Sequence, residues 1–332
     1  MHQIRLVGPE DEAAHRELLV ERLPTTDVDA RLAWIYRGNP HGPAHTWIAY
    51  AAESGEPAGM TTFFARKLWI DGEVWPSAIG GDMYVRPRFR RRGIGADLFR
   101  AAHGDMVRLG VRLMFGTPMQ PNVTALRASG STVPGAAVAR YARVLASSAD
   151  WMARLPRPLG ALLGPLLRAR PRAGTRLEPL AGRDARIDRL WAETRDELSV
   201  ATVRDAEFYQ WRFVDAPSQM QRAFVIVDGD APIAACALEV VRDKRRIVDL
   251  LAPRARWRAA LHAIAAATPE PALEMRLALG DAGRRRLWRA GFLRRDIAPM
   301  SMLTIADTPR ERALHDPARW FLTWADTDID HA

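Results

Sequence analysis

Apolar and polar positions alternate briefly at the start of the chain, then recur every three to four residues, then alternate again. "QIRLV" reads as a half-buried strand, and "DEAAHRELLVERL" and "DARLAWIYRGNP" read as two amphipathic helices. "TWIAYAA" returns to strand character. The turn "ESGEP" leads into "AGMTTFFARKLWI", followed by Asp71-Gly72 and "EVWPSAIGGDMYV". That β-branched and aromatic content around an Asp-Gly turn predicts a long hairpin. A glycine-bearing loop, "VRPRFRRRGIGADL", comes next. A helix in "GADLFRAAHGDMVRLG", a strand in "VRLMFGT" and a polar helix start at Pro121-Asn122 complete the run.

From "TRLEPL" the layout recurs. "DARIDRLWAETRDEL" and "DAEFYQWRFVDAP" read as helices, and "RAFVIVDGDAPIAACALEVV" as strand, turn and strand. Trp34, Pro40 and Trp47 fall 177 residues before Trp211, Pro217 and Phe224. Three matches at one offset inside matching element orders predict a duplicated fold. The boundary falls in "RLPRPLGALLGPLLRARPRAG", rich in proline, glycine and arginine. The expected organisation is a domain over 1–150, a linker over 151–175 and a second domain over 176–332. The apolar centre of the linker, Leu159 to Leu167, is short and flanked by arginine. It reads as chain packed on one domain, with a membrane-surface contact as the lesser alternative.

Composition narrows the class. The 332 residues are 48% hydrophobic and 26% charged, the profile of a globular protein with room for two modest cores. The formal charge is +9, and lysine contributes only Lys67 and Lys244. Such an arginine bias is weak evidence for a nucleic-acid partner and better evidence for an anionic ligand. A single cysteine, Cys236, excludes an internal disulfide and a cysteine metal cluster, which fits a cytoplasmic location. The N-terminus has no apolar signal core, and no stretch reaches the ~18 apolar residues of a membrane span.

The candidate chemistry lies in the glycine loop. A strand that ends in a glycine turn and opens a helix makes an anion site, because the first helical amides lack partners and the dipole is positive there. Arg90, Arg91 and Arg92 add charge, and Gly93 and Gly95 let the backbone approach a ligand. A mononucleotide loop would need Lys-Ser or Lys-Thr after its second glycine, but Ala96-Asp97 follow. A dinucleotide fingerprint would need a third glycine where Leu98 stands. A pyrophosphate held without a metal-coordinating side chain fits best.

Arg90-Arg91-Arg92-Gly93-Ile94-Gly95 resembles the Arg-x-x-Gly-x-Gly loop of the Gcn5-related N-acetyltransferases, and "MYVRP" before it resembles that family's fourth strand. The resemblance covers roughly residues 3 to 145. It implies a tandem α/β architecture of two acyl-CoA N-acyltransferase-like domains, each a mixed, mostly antiparallel sheet flanked by helices. It implies acetyl-CoA, or another acyl-CoA, as co-substrate with no metal. Tyr84 and Val85 would then hold pantetheine, and Arg90, Arg91, Arg92, Gly93, Ile94, Gly95 and Ala96 the pyrophosphate. Asn122 would face the cofactor. The second half keeps an Asp249…Pro253-Arg254 pattern without either glycine, so the second copy reads as degenerate.

Acyl transfer from a thioester needs a neutral amine and help with its proton. Asp82, at the start of the motif strand, is the expected base, and alternation puts Asp82 and Tyr84 on one face with Met83 and Val85 on the other. The family's tyrosine acid is replaced by Ser129; Tyr141 is the candidate substitute, with a buried strand aromatic as the competing reading. His41 and His45 frame a proline loop unsuited to a metal-binding helix face, and His103 reads as a packing residue on the loop helix. In "WFLTWADTDID" the carboxylates read as solvated and Trp320 and Trp324 as core anchors. The expected activity is transfer of acetyl to an amine of a small molecule, sugar or peptide by direct attack. A FemAB-like aminoacyl or peptide transferase and a non-catalytic coenzyme A-binding scaffold or sensor are the alternatives.

Overall fold

The computed structural model describes residues 2–134, 137–146, 172–278 and 281–327. It comprises two compact units. In the first unit, β1 (His2–Leu6), β2 (His45–Ala51), β3 (Pro57–Ile70), β4 (Glu73–Val85) and β5 (Leu113–Gly116) lie side by side in chain order. Helices α1 (Glu12–Arg22) and α2 (Val28–Arg31) join β1 to β2, while α3 (Ile94–Asp105) precedes β5 and α4 (Gln120–Ala128) follows it. Adjacent strands are antiparallel except β4 and β5, which are parallel. The predicted hairpin forms at Asp71-Gly72, with Ile70 opposite Glu73 and Gly59 opposite Val85.

The second unit contains β6 (Val138–Val144), β7 (Thr175–Pro179), α5 (Ala185–Arg195), β8 (Val200–Thr202) and α6 (Ala206–Tyr209). It continues through β9 (Gln221–Asp228), β10 (Ala231–Val241), β11 (Lys244–Leu251), α7 (Trp257–Ala266), β12 (Ala272–Leu277), α8 (Asp281–Arg289) and β13 (Leu293–Ala298). Its sheet runs β13-β6-β12-β11-β10-β9-β7, again with one parallel pair, β11 and β12. The chain then supplies β14 (Ser301–Thr304), α9 (Pro309–Ala313) and β15 (Trp320–Phe321).

The boundaries differ from the expected 1–150 and 176–332. Strand β6 pairs with β12 in the second sheet, and β14 pairs with β5 in the first. Residues 138–146 therefore group with the second unit and 298–316 with the first. The local pattern of a strand carries no information on which sheet edge will satisfy its N–H and C=O groups, so an exchange of this kind has no signature in periodicity. Most of the expected linker, residues 151–171, lies outside the described residues.

The duplication extends below topology. Helix α2 continues as a π-helical turn over Leu32–Arg37, and α6 as one over Gln210–Val214. Gly38 N–H reaches the Ala33 carbonyl and Asp215 N–H the Gln210 carbonyl, five residues back in each case. Asp27 and Asp205 cap the two helices through their side chains. Trp47 on β2 stands opposite Leu6, and Phe224 on β9 opposite Pro179, so the aromatic matches at the 177-residue offset occupy equivalent sheet positions. In the first unit, Trp47 and Phe63 from the sheet pack with Ile94, Leu98 and Phe99 of α3 and Val123 and Leu126 of α4. That cluster fixes the angle at which α3 leaves the glycine loop. No helix of the described residues is long and apolar enough to cross a membrane.

Candidate functional site

The parallel pairing of β4 with β5 covers only Ser77 to Ile79. Strand β4 continues through residues 80–85, held on its other edge by β3, while β5 ends at Gly116. Backbone groups of 80–85 on the β5 side therefore lie outside the ladder. They are donors and acceptors open to an extended ligand.

The glycine loop closes one end of this gap. A 3₁₀ turn over Pro87–Phe89 ends at Arg90, whose Nε donates to the Val85 carbonyl at 2.9 Å. Arg91 and Gly93 both take the left-handed conformation, with φ of 62° and 79°. Gly93 is the N-cap of α3, and no side chain caps that helix. The opening amides of α3 are thus available, in contrast to those of α2 and α6 under their aspartates. Asp97 in the first turn is paired with Arg100 and lies 2.7 Å from His2 Nε2, so its charge is offset there.

The two glycines differ. Gly93 is required by its backbone: a Cβ would meet nothing closer than Asp97 Oδ2 at 3.9 Å, but a positive φ disfavours a side chain. At Gly95 the backbone makes no such demand; a Cβ would stand 3.0 Å from Met83 Cε and 3.8 Å from Ala125 Cβ, so a side chain there asks the end of Met83 to shift. The arginines also separate. Arg90 ties down the strand end, and Arg92 lies over the Phe89 ring, lining a small cavity with His2 and Ser54. Ile94 is buried in the core cluster, and Ala96 is half-buried.

Asp82 is not where a base is needed. Its side chain is fully buried, with Arg31 Nη2 at 3.0 Å, Arg22 Nε at 3.2 Å and Tyr36 Oη donating at 2.7 Å. Burial pushes its pKa up, but the Arg31 and Arg22 cations outweigh that and hold the carboxyl below its ordinary value. A carboxylate with saturated oxygens, closed from solvent, does not collect a proton from a substrate amine. The same side chain sits at a β-bulge: the register shifts between Met60 and Thr62, and Asp82 has φ of 44°. The predicted alternation survives the bulge. Met83 faces α3 and Tyr84 bonds Glu21 of α1, where burial and that carboxylate raise the phenol's pKa.

Tyr141 also departs from expectation. It lies on β6 opposite Met275 of the second sheet, is 4% exposed, and has a pKa raised by burial. It is a buried strand aromatic of the second unit and not a partner of the loop. Ser129, at the family's acid position, donates to the Leu126 carbonyl at 2.8 Å as a helix-end cap. Asn122 is half-buried in the first turn of α4, its amide bonded to the Met119 carbonyl. His41 Nδ1 accepts from the Lys67 amide, His45 begins β2, and His103 stacks on Phe99 and bonds the Ser129 carbonyl. Among the described residues no group of three or more His, Cys, Asp or Glu could hold a metal ion.

Sequence reasoning missed the partners of Asp82. A signal was present: Arg31-x-x-x-x-Tyr36 recurs as Arg204-x-x-x-x-Tyr209. In the second unit Asp249 is fully buried, bonded by Arg204 Nε at 3.0 Å, Tyr209 Oη at 2.9 Å and Thr323 Oγ1 at 2.8 Å. It too adjoins a bulge, between Ala237 and Leu238 of β10.

What differs in the second unit is the gap beside that strand. The 3₁₀ turn Arg254–Arg256 runs directly into α7, with no left-handed residue between, and Trp257 Nε1 donates to the Ala252 carbonyl. The segment Trp320 to Ala325 lies in the space past the β11–β12 pairing. Ala278 at the end of β12 bonds the Leu322 carbonyl, Thr323 reaches Asp249, and the Phe321 ring is 6.1 Å from Trp257. Trp320 and Trp324 are buried as expected, but on a strand and a 3₁₀ turn. Asp326 is buried rather than solvated, and the other carboxylates of the tail lie outside the described residues.

Residues 12–128 match the model of the acetyltransferase (GNAT) family. A GCN5-related N-acetyltransferase from Anabaena variabilis superposes with a TM-score of 0.67 over 92% of this chain and 73% of that one, at 14% identity. Saccharomyces cerevisiae N-myristoyltransferase with bound myristoyl-CoA gives 0.57 over 91% and 82%, at 12% identity. A tandem GNAT protein from the clavulanic acid biosynthesis pathway gives 0.56 over 93% and 100%, at 14% identity. The sequence matches no curated protein at a significant level. At these identities the likeness is one of fold.

Proposed function

Residues 12–128 belong to the acetyltransferase (GNAT) family, and from that premise we propose that this acyltransferase uses an acyl-CoA, most simply acetyl-CoA, held at one site in its first unit. The observation that carries the reading is the uncapped opening of α3 at Gly93, set beside the unpaired edge of β4. The amides from Ile94 to Ala96 take the pyrophosphate. The open edge of residues 80–85 adds pantetheine as an extended strand would add, through backbone bonds.

The acceptor is an amine of a small molecule, sugar or peptide. Its lone pair attacks the thioester carbonyl carbon, the C–S bond breaks, and the coenzyme leaves as a thiolate that takes up a proton. The ammonium proton of the new amide goes to water. No cysteine supplies a covalent route: the buried Cys236 thiol is pushed far up by burial and by Asp249. Asp82 serves the reaction indirectly, by fixing the bulge of β4. We assign the second unit no coenzyme site, because its helix opens without a loop and residues 320–325 fill the corresponding gap.

Calorimetric titration with acetyl-CoA, followed by a labelled transfer assay across a panel of amines, tests this. Saturation at one coenzyme per chain with turnover of at least one amine is the expected result. Two per chain would reopen the second unit, and no binding would remove the assignment.

A further inference from the structure

Helix α8 and strand β13, joined by a short turn at Gly291, carry a surface that acyl transfer does not use. Leu287 and Phe292 anchor the pair in the second unit, both essentially fully buried. Outside, Trp288 is 68% exposed, Leu293 46% and Ile297 54%. Around them Arg284, Arg285, Arg289, Arg294 and Arg295 are exposed, and Arg286 is half-buried. Strand alternation puts Leu293, Arg295 and Ile297 on one face of β13. On α8, spacings of three and four residues put Arg284, Arg285, Trp288 and Arg289 along one side of the helix. Within the pair the only exposed carboxylate described, Asp296, is bonded to Arg140.

Strand β13 is the edge of its sheet, and arginines on an edge keep it from pairing with other chains. That accounts for Arg294 and Arg295. It does not account for a Trp left exposed on the neighbouring helix, or for two exposed aliphatic side chains. The candidate occupants differ in charge. A second copy would set arginine against arginine. Residues 147–171 of this chain, with Arg154, Arg157, Arg168 and Arg170 against one aspartate, would do the same. The occupant must be anionic and must also accept apolar side chains. A single-stranded nucleic acid would reward several stacked aromatics, and here there is one. A bilayer interface rewards all three features: phosphates for the arginines, the headgroup level for Trp288, and the acyl boundary for Leu293 and Ile297.

We propose that the α8–β13 face docks this protein on anionic lipid bilayers. The test uses the full chain and vesicles of phosphatidylcholine with increasing phosphatidylglycerol, read by co-sedimentation. Binding should rise with phosphatidylglycerol and weaken as salt is raised. Trp288→Ser with Leu293→Ser should weaken it more than about tenfold, because apolar insertion is lost. Arg285→Glu with Arg289→Glu should abolish the preference for anionic vesicles. Circular dichroism melting and acetyl-CoA titration should match the parent in both variants, since neither alters a residue of the proposed coenzyme site. Absence of sedimentation, equal binding to neutral vesicles, or retention by the Arg→Glu variant would overturn the proposal. Binding of single-stranded RNA in place of vesicles would overturn it as well.

Discussion

Replacing Asp82 with asparagine separates a structural carboxylate from a catalytic one. The amide is nearly isosteric, and asparagine accepts the left-handed φ of 44° as readily as aspartate, so the backbone contributes little to the outcome. What changes is charge. Arg31, itself 2% exposed, loses the carboxylate charge at 3.0 Å, and one of the two oxygens that accept from Arg22, Arg31 and Tyr36 becomes an NH2 donor. Removing one partner of a buried ion pair costs about 3–5 kcal/mol. For a chain of this size that corresponds to a fall in melting temperature of roughly 4–7 °C. The assay is thermal melting by circular dichroism beside single-turnover transfer measured well below the variant's melting point. The expected variant melts early and retains turnover within about tenfold, the residue of a loosened β4. Adding Arg31→Met should recover part of the lost stability, because a buried charge without its carboxylate counter-charge is then gone. An Asp82→Asn variant that melts like the parent but turns over about 10²–10⁴ times more slowly would refute this, since that is the span for a lost general base.

The two loop glycines should respond in opposite ways: Gly93→Ala places a side chain at positive φ and should weaken acetyl-CoA binding about tenfold for a strain of roughly 1–2 kcal/mol, read by calorimetry. Gly95→Ala asks only that the end of Met83 move and gains helix propensity, so its affinity and melting temperature should stay near the parent's; a loss as large as that of Gly93→Ala would place Gly95 on the phosphate path after all. His15, packed on the Tyr36 ring, has its pKa lowered to about 4 by burial, against the raising effects of Asp82 and Glu12. The unfolded imidazole takes its proton near pH 6.5 and the folded one only near 4, so stability falls as pH drops through that window, by about 3 kcal/mol at 1.36 kcal/mol per unit. Urea unfolding of His15→Phe should show a flatter dependence between those pH values, and an unchanged slope would remove His15 as its cause.

Local periodicity carried the strands and helices of each unit, because one-sided burial writes itself into the pattern. The Asp71-Gly72 hairpin, the helix after the loop and the recurrent layout were all readable in this way. Partner choice was not. The "VARYARV" strand looks the same whether it joins the first sheet or the second, and the backbone pairing with β12 decides it. Tyr141 was assigned to the wrong unit for that reason alone. The surroundings of Gly95 were hidden similarly, since its neighbours are Met83 on one element and Ala125 on another. The buried cluster around Asp82 joins residues up to 60 positions apart, from Arg22 to Asp82. A charge at a strand's end reads as exposed unless its partners can be located.

The second unit supplies the argument that decides between the two roles of Asp82. Asp249 is held by an arginine, a tyrosine and a threonine hydroxyl, beside a bulge, as Asp82 is held by arginines and a tyrosine beside its own. The helices α2 and α6 both relax into a π turn, and each segment places a phenol on the carboxylate, Tyr36 from the π turn and Tyr209 from the helix itself. Arg31 ends its helix, while Arg204 precedes the cap of its own. Yet the second unit lacks a glycine loop, and residues 320–325 fill the gap that the first unit leaves open. A catalytic carboxylate would have no work there. A carboxylate that pins a bulge would have the same work in both units. In each sheet the parallel pairing stops before the bulge, at Ile79 in β4 and at Ile247 in β11. Beyond that point the second unit receives the chain's own Leu322 and Thr323, and in the first unit we infer that a ligand takes the equivalent place. The buried ion cluster therefore makes the gap, and the loop at Gly93 determines what enters it.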